Sequence, residues 1–311
     1  IFKMNNIPVL VIIYNRPNKF KRLIEKLQNI KSKKIYVFAD GPNKLKKNDL
    51  SLCKNTRKLV SSINWECKVY KNYQKENWGV DLGVYNAITW FFNKVKFGII
   101  LEDDCLPNLS FFKFVKILKS KYSRDKNIGI ISGNNFIKKN YKYSYFFSKW
   151  PHTWGWATWK KNWVNFDYDI NFWKKLRKSN KWKLLNENFT QYKTFTHVYD
   201  QILDKTKKKD ITWDYRYMLY CWNNNLLNIV PRYNLVKNIG FGKNANHTFV
   251  KNKKMNYKLN NLKFPLNHPN KNYIDTDFET KNFYISYYNK NFFLIEILKN
   301  LKFVIKNFFN R

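Results

Sequence analysis

From Pro8 to Tyr14 the chain is a continuous apolar, β-rich run, closed by Asn15-Arg16-Pro17-Asn18, a turn whose proline suits the start of a helix. Phe20, Leu23, Ile24, Leu27 and Ile30 then recur at helical spacing. The same rhythm returns twice. Ile35 to Ala39 reads as a strand, Asp40-Gly41-Pro42 as a turn, and Leu52, Leu59 and Val60 mark a weaker helix. A third strand near Cys67 to Tyr70 leads to Asn77-Trp78-Gly79 and a helix through Val84, Ala87, Ile88 and Phe91. Ile99, Ile100 and Leu101 form one more short buried strand, which ends in Glu102, Asp103 and Asp104. Strands alternating with helices in this way predict an α/β fold whose largely parallel sheet is covered on both faces.

The second half is less regular. Phe111 to Tyr122 reads as a helix, and Ile128 to Ser132 and Ser144 to Ser148 read as strands. Trp150 to Trp163 (WPHTWGWATWKKNW) is the densest aromatic segment, and Phe172 to Lys209 predicts short helices broken near Ser179 and Asn188. Thr212-Trp213-Asp214 opens a helix running to about Asn223, followed by a strand from Leu226 to Val230 and a loop carrying Asn238, Gly240, Gly242 and His247. Residues 251 to 290, rich in Asn, Lys and Tyr, read as an irregular segment. Beyond them Leu294, Ile297, Leu298, Leu301, Ile305 and Phe308 trace one stripe, with Lys299, Lys302 and Lys306 off it. Such a basic amphipathic helix either lies on an anionic membrane surface or packs onto its own domain. No internal repeat is visible.

Three consecutive acids at a strand end repel one another and desolvate badly, so a divalent cation or basic neighbours must neutralise them unless they form a plain solvated turn. In an open α/β sheet ligands bind beyond the carboxyl ends of the strands. Asn15 and Arg16, Asp40, Asn77 and the acidic trio all follow strands, which places them on one edge of a parallel sheet. An Asp there can accept a hydrogen bond from a base N–H, and an Arg or Asn can hold base or phosphate. The loop after the first strand, NRPN, lacks both the GxGxxG fingerprint and a Walker A motif. Most of the tryptophans between 150 and 163 read as core. The alternative for some of them, with His152, is a wall against which the apolar face of a sugar packs.

The chain has 311 residues and a formal charge of +38, with 44% apolar and 19% aromatic residues. It is therefore a folding chain with an affinity for anionic partners. Four scattered cysteines without a CxxC pair argue against a zinc site or a disulfide framework and suit a reducing compartment. No apolar run reaches the roughly 20 residues of a membrane span. The segment before the first strand is too short for a signal peptide, although Ile1 leaves open a missing upstream piece. A cytoplasmic protein is expected, peripheral to the inner face of the membrane. Three Asn-x-Ser/Thr sequons, at Asn108, Asn188 and Asn246, fit chance in so Asn-rich a chain.

PVLVIIYNRP, KIYVFADGP, NWG with AITWFF, GIILEDDCLPNLSFFKF, ISGNNF, PHTWGWATWKKNW, TWDYRYM and PRYNLVKNIGFG together resemble a bacterial branch of GT-A glycosyltransferases, often labelled nucleotide-diphospho-sugar transferases. The branch is similar to family 2 enzymes and to N-acetylglucosaminyltransferase I. The resemblance covers roughly residues 7 to 250. It implies a Rossmann-like GT-A domain at 1–250, with a nucleotide-sugar half (1–135) and an acceptor half (136–250), and a basic extension at 251–311. It also implies roles. Asp104 contacts Mn²⁺ or Mg²⁺, Glu102 and Asp103 support the ribose and nucleotide sugar, and Asp40 reads the uracil edge. Asn15 and Arg16 belong to the nucleotide loop, and Asn77 and Gly79 to the NWG turn, where related sequences read NLG. Asp214 is the catalytic base of an inverting reaction. His247, in ANHT where related sequences carry ATHT, is a metal or phosphate ligand. His152, Trp154 and Trp156 are candidates for the acceptor or sugar wall.

The implied function is metal-dependent, inverting transfer from a UDP-sugar to a hydroxyl of a glycan or lipid-linked acceptor in bacterial surface polysaccharide or glycoconjugate synthesis. Two rivals stand beside it. A nucleic-acid or polyanion-binding protein would account for the charge and the interleaved aromatics, but the basic residues follow no nucleic-acid motif, so no nucleic acid is expected. A nucleotidylyltransferase would use acids, metal and a similar sheet, but expects a Gly-rich basic loop that NRPN does not supply.

Overall fold

The computed structural model describes residues 6–204, 212–240, 258–269 and 274–288. The amphipathic stripe of 294–308 lies outside them. β1 (Val9–Ile13) is buried at every position and leads into α1 (Pro17–Ile30), which has its proline in the first turn and Phe20, Leu23, Ile24, Leu27 and Ile30 on the buried face. The alternation continues with β2 (Lys34–Ala39), α2 (Asp49–Lys58), a 3-10 turn, β3 (Lys68–Tyr73), α3 (Gly79–Phe92) and β4 (Phe97–Glu102). A short strand, β5 (Cys105–Pro107), precedes α4 (Leu109–Lys121), which Asn108 caps by accepting a hydrogen bond from the Phe111 N–H at 3.0 Å. Then come β6 (Ile128–Ser132), β7 (Tyr145–Ser148), β8 (Trp156–Trp159), α5 (Lys160–Val164), α6 (Trp173–Leu176), α7 (Asn180–Leu184) and α8 (Phe189–Leu203). The breaks expected near Ser179 and Asn188 are the N-caps of α7 and α8. α9 (Trp213–Asn223), β9 (Leu227–Pro231), β10 (Val236–Asn238) and α10 (Thr276–Ser286) complete the described elements.

The fold is α/β with a large, mostly parallel central sheet. Among the described residues the sheet order is β3-β2-β1-β4-β8-β6-β9-β7. β3, β2, β1, β4, β6 and β9 run one way, and β8 and β7 run against them. Val11 of β1 lies opposite Val37 on one side and Leu101 on the other. A strand buried on both faces in this manner reads as an unbroken apolar run rather than an alternation. Phe20 and Leu23 of α1, with Phe111 and Phe114 of α4, cover one face; Ala87, Ile88 and Phe91 of α3, with Trp213 and Tyr217 of α9, cover the other. β5 and β10 pair antiparallel as a separate two-stranded sheet, which ties the loop after β4 to the loop after β9.

A third apolar cluster gathers Trp150, Trp173, Trp182, Phe195 and Trp222 with Phe278 and Phe283 of α10. The core reading of the aromatic segment holds for Trp150, Trp156, Trp159 and Trp163, all buried. Truncating a side chain as enclosed as Trp150 to Ala costs about 3–5 kcal/mol. The irregular reading of 251–290 is corrected for its described parts. Residues 258–269 lie along α4, where Asn108 Nδ2 donates to the Asn260 carbonyl at 2.9 Å and Leu262 and Leu266 enter the core. Residues 276–286 are α10, capped by Asp275, which accepts from the Phe278 N–H at 3.0 Å. Two phenylalanines are too few to announce a helical stripe, and their burial against the third cluster supplies what periodicity does not. No helix among the described residues is long and apolar enough to cross a membrane.

Candidate functional site

A cleft of about 1000 Å³ opens where β1, β2 and β4 end. Part of its lining comes from the ends of those strands: Tyr14 and Arg16 after β1, Asp40 and Asn43 after β2, and Glu102 at the end of β4 with Asp104 just beyond it. Asn77, Gly79 and Gly83 add the entry to α3. The lining also includes Asn134 and Phe136 after β6, Pro151 to Trp154, and Thr212 to Tyr215 at the head of α9. Asn238 ends β10 with Gly240 just beyond it, and Ser286 and Tyr287 close α10. The cleft thus brings together Arg16, Asp40, Asn77, Gly79, Glu102, Asp104, His152, Trp154 and Asp214.

At the acidic strand end, Asp103 is fully buried and does not line the cleft. Arg16 forks onto it, donating from Nε to Oδ2 at 3.2 Å and pairing through Nη2 with Oδ1, while its Nη1 reaches Asp104 Oδ2 at 2.6 Å. Asp103 is therefore taken up by an internal ion pair and not by a ligand, which fixes the motif, while Arg16 itself still lines the cleft. Burial pushes the Glu102 carboxyl up, neighbouring Asp104 adds to this, and Arg16 pulls against both. Gly240 comes so close that a Cβ on it would stand 2.3 Å from Asp104 Oδ2, so a side chain there would push the Asp104 carboxylate aside. Among the described residues no three His, Cys, Asp or Glu side chains group as a metal site. His247 lies outside the described residues.

Asp40 is held from every side. Its Oδ1 accepts from the Gly41 and Trp78 N–H groups, each at 2.9 Å. Its Oδ2 accepts from the Gly79 N–H at 2.9 Å and from Asn77 Nδ2 at 3.0 Å. A carboxylate offers about four acceptor positions, and all are occupied, which leaves none for the edge of a base. Asp40 is thus a clamp between the end of β2 and the start of α3. Gly79 follows this turn at φ 76°, in the left-handed region that favours glycine. Asn15 does not reach the cleft either. Its Nδ2 donates to Asp49 Oδ1 at 2.5 Å, and Tyr14 Oη and the Asn43 N–H donate to Asp49 Oδ2 at 2.5 and 2.6 Å. The buried Asp49 is a hub that sequence reasoning missed; only its place at the head of a weak helix hinted at it.

No protein-family model and no curated protein sequence matches the chain. Solved structures overlap it weakly. UDP-glucose pyrophosphorylase in its apo form is 8% identical over 75% of this chain and 93% of that one, with a TM-score of 0.37. The inositol-1-phosphate CTP transferase from T. maritima is 12% identical over 74% and 86%, with a TM-score of 0.36. HddC from Yersinia pseudotuberculosis, complexed with GMP-PN, is 13% identical over 54% and 86%, with a TM-score of 0.34. Likenesses this slight say nothing about reaction or ligand.

Asp214, also on the cleft lining, stands in the first turn of α9, and Thr212 Oγ donates to its Oδ1. Burial raises its pKa, with the Thr212 hydrogen bond opposing, so its carboxylate is a stronger proton acceptor than an exposed Asp. Arg216 anchors this turn, donating from Nη2 to Asp81 Oδ2 and from Nη1 to the Tyr168 carbonyl, each at 3.1 Å. His152 and Trp154 do line the cleft. Trp156 does not: it sits within β8, 1% exposed, stacked on Trp213 at 5.8 Å, and so cannot be a sugar wall. β8 is buried at all four of its positions, whereas Trp154 lies in the turn before it. Sequence reasoning also missed Tyr287, which stacks on Trp150 at 4.9 Å and reaches the cleft from the segment read as irregular.

Proposed function

We propose that the chain is a GT-A-type glycosyltransferase that moves a sugar from a nucleotide-sugar, with UDP as the expected nucleotide, to a hydroxyl acceptor with inversion. One observation carries the reading: a single cleft of about 1000 Å³ at the strand ends is lined both by an acidic pair, Glu102 and Asp104, and by Asp214, whose carboxylate is made more basic by burial. Inversion requires a leaving diphosphate on one side of the sugar carbon and a proton acceptor on the other. Asp214 takes the proton from the attacking hydroxyl, and its raised pKa suits that task. Arg16 keeps Asp104 oriented, and Asp40 holds the turn that presents Asn77 and Gly79.

A divalent ion fits this donor set. Of the acidic trio Glu102 and Asp104 line the cleft, the one guanidinium beside them is shared with the buried Asp103, and hard oxygen ligands of this kind suit Mg²⁺ or Mn²⁺. Glu102 and Asp104 would hold it together with diphosphate oxygens, and it would supply charge stabilisation to the departing nucleoside diphosphate. A lipid-linked acceptor at an anionic membrane surface remains our proposal from the basic composition.

The rival on a related fold is nucleotidyl transfer. The products separate the two. Incubation with UDP-sugars, Mn²⁺ and a hydroxyl acceptor should release UDP and elongate the acceptor. Asp214→Asn should cut that rate about 10²–10⁴-fold while UDP binding is retained. Pyrophosphate release from a nucleoside triphosphate and a sugar 1-phosphate, with no transfer from UDP-sugars, would establish the rival instead.

A further inference from the structure

Two polar side chains on the cleft wall carry buried atoms without a partner. Asn134 is 1% exposed and His152 is 6% exposed. Asn134 Nδ2 lies 3.2 Å from His152 Nδ1, while Asn134 Oδ1 and His152 Nε2 have no hydrogen-bond partner. Other buried polar atoms share that condition, but among the described residues these two alone belong to side chains lining the cleft. Buried donors and acceptors are almost always satisfied, by protein, water or ligand.

The bond between the two residues sets what they offer. With the amide N–H donating to Nδ1, the ring proton sits on Nε2, so the pair presents one donor (Nε2–H) and one acceptor (Oδ1). Turning the amide over exchanges the roles and again leaves one of each. Burial lowers the His152 pKa to about 4, so the pair is uncharged at neutral pH. Phe136 packs edge-on against both the His152 ring, at 5.8 Å, and Trp154, at 4.9 Å, which gives the polar pair an aromatic corner. The His152 N–H donates to Ser132 Oγ at 3.3 Å, which fixes this turn to the end of β6.

Position suggests which part of a ligand meets the pair. Only β8 separates β6 from β4, so the end of β6 stands two strand spacings, about 10 Å, from the acidic strand end. That is within the span of a sugar attached to a diphosphate held at Glu102 and Asp104, and the pair is the buried, unsatisfied polar group on that side of the lining. We infer that Asn134 and His152 form the recognition subsite for the donor sugar, and that they select an uncharged sugar through a group that both donates and accepts a hydrogen bond. A hydroxyl and an acetamido group share that chemistry. A carboxylate does not, because it would face Asn134 Oδ1 and the acids of the same cleft. This inference rests on the nucleotide-sugar reading above.

The test is calorimetric titration of the full chain, with Mn²⁺, against UDP, UDP-glucose, UDP-N-acetylglucosamine and UDP-glucuronate. The wild type should bind one of the two uncharged UDP-sugars at least about tenfold more tightly than UDP-glucuronate, and the tighter one identifies the group. Asn134→Leu and His152→Phe, which keep shape and lose the polar atoms, should leave UDP affinity within about twofold and weaken that UDP-sugar about tenfold or more. Equal binding of all three sugars by the wild type, or variants that retain the preference, would overturn the subsite while UDP binding upholds the broader reading. Absence of any UDP binding by the wild type would overturn both. Should a variant fail to fold, the wild-type sugar panel still decides.

Discussion

Asp40 offers a sharp division between holding the fold and reading a base. The perturbation is Asp40→Asn, which conserves shape and removes the charge. In the wild type each carboxylate oxygen accepts two hydrogen bonds, from Gly41 and Trp78 on Oδ1 and from Gly79 and Asn77 on Oδ2. Whichever way the new amide faces, its NH₂ group meets two donors. Two hydrogen bonds to a charged acceptor are lost, and each contributes about 1.5–3 kcal/mol. The remaining two bonds weaken because their acceptor is now neutral. The site is 8% exposed, so water does little to replace the lost partners. We expect a destabilisation of about 3–5 kcal/mol, read from urea unfolding monitored by tryptophan fluorescence. Affinity for UDP and for CDP should fall together, because the turn that presents Asn77 and Gly79 loosens. A variant as stable as the wild type to within about 0.5 kcal/mol, with altered preference between UDP and CDP, would refute the clamp and restore direct base reading.

Three further outcomes follow from individual contacts. Arg16→Met leaves the fully buried Asp103 without its counter-charge, and removing one member of a buried pair costs about 3–5 kcal/mol; equilibrium unfolding near that of the wild type would contradict the pairing. Gly240→Ala drives a Cβ against Asp104 Oδ2, so it should abolish any Mn²⁺-dependent increase in UDP affinity with little effect on metal-free binding, as measured by calorimetry. Burial raises the Glu279 pKa from 4.5 to about 7, so the folded state binds this proton more tightly than the unfolded chain. Its contribution is therefore fully present below pH 4.5 and is lost as pH rises through about 7. Relative to Glu279→Gln, the wild type should lose about 3 kcal/mol of stability across that window; parallel pH profiles for the two proteins would argue against a buried, protonated Glu279.

The α/β alternation was legible because strands buried on both faces read as apolar runs, and Val9–Ile13 and Phe97–Glu102 are such strands. The cleft was legible for a topological reason. Parallel strands end on one edge, so residues following them meet whatever their separation in sequence. The roles of single residues were less so. Whether Asp40 faces a ligand or four protein donors is set by how the turn at Asn77 folds back, a contact 37 residues away. Trp156 and Trp154 lie two positions apart, but β8 turns the first into the core and leaves the second on the cleft. β5 and β10 are too short to show a period, although their pairing brings Gly240 to Asp104. Tyr287 depends on the docking of α10, which two buried phenylalanines secure without a periodic stripe.

The most direct test of the central claim is calorimetric titration of the protein with UDP, GDP, CMP and NAD, each with and without Mn²⁺, repeated for Asp104→Ala. Tight binding of UDP alone, dependent on Mn²⁺ and lost in the variant, is the predicted result. No nucleotide binding under any condition, with salt-sensitive binding to DNA or RNA in its place, would contradict the account.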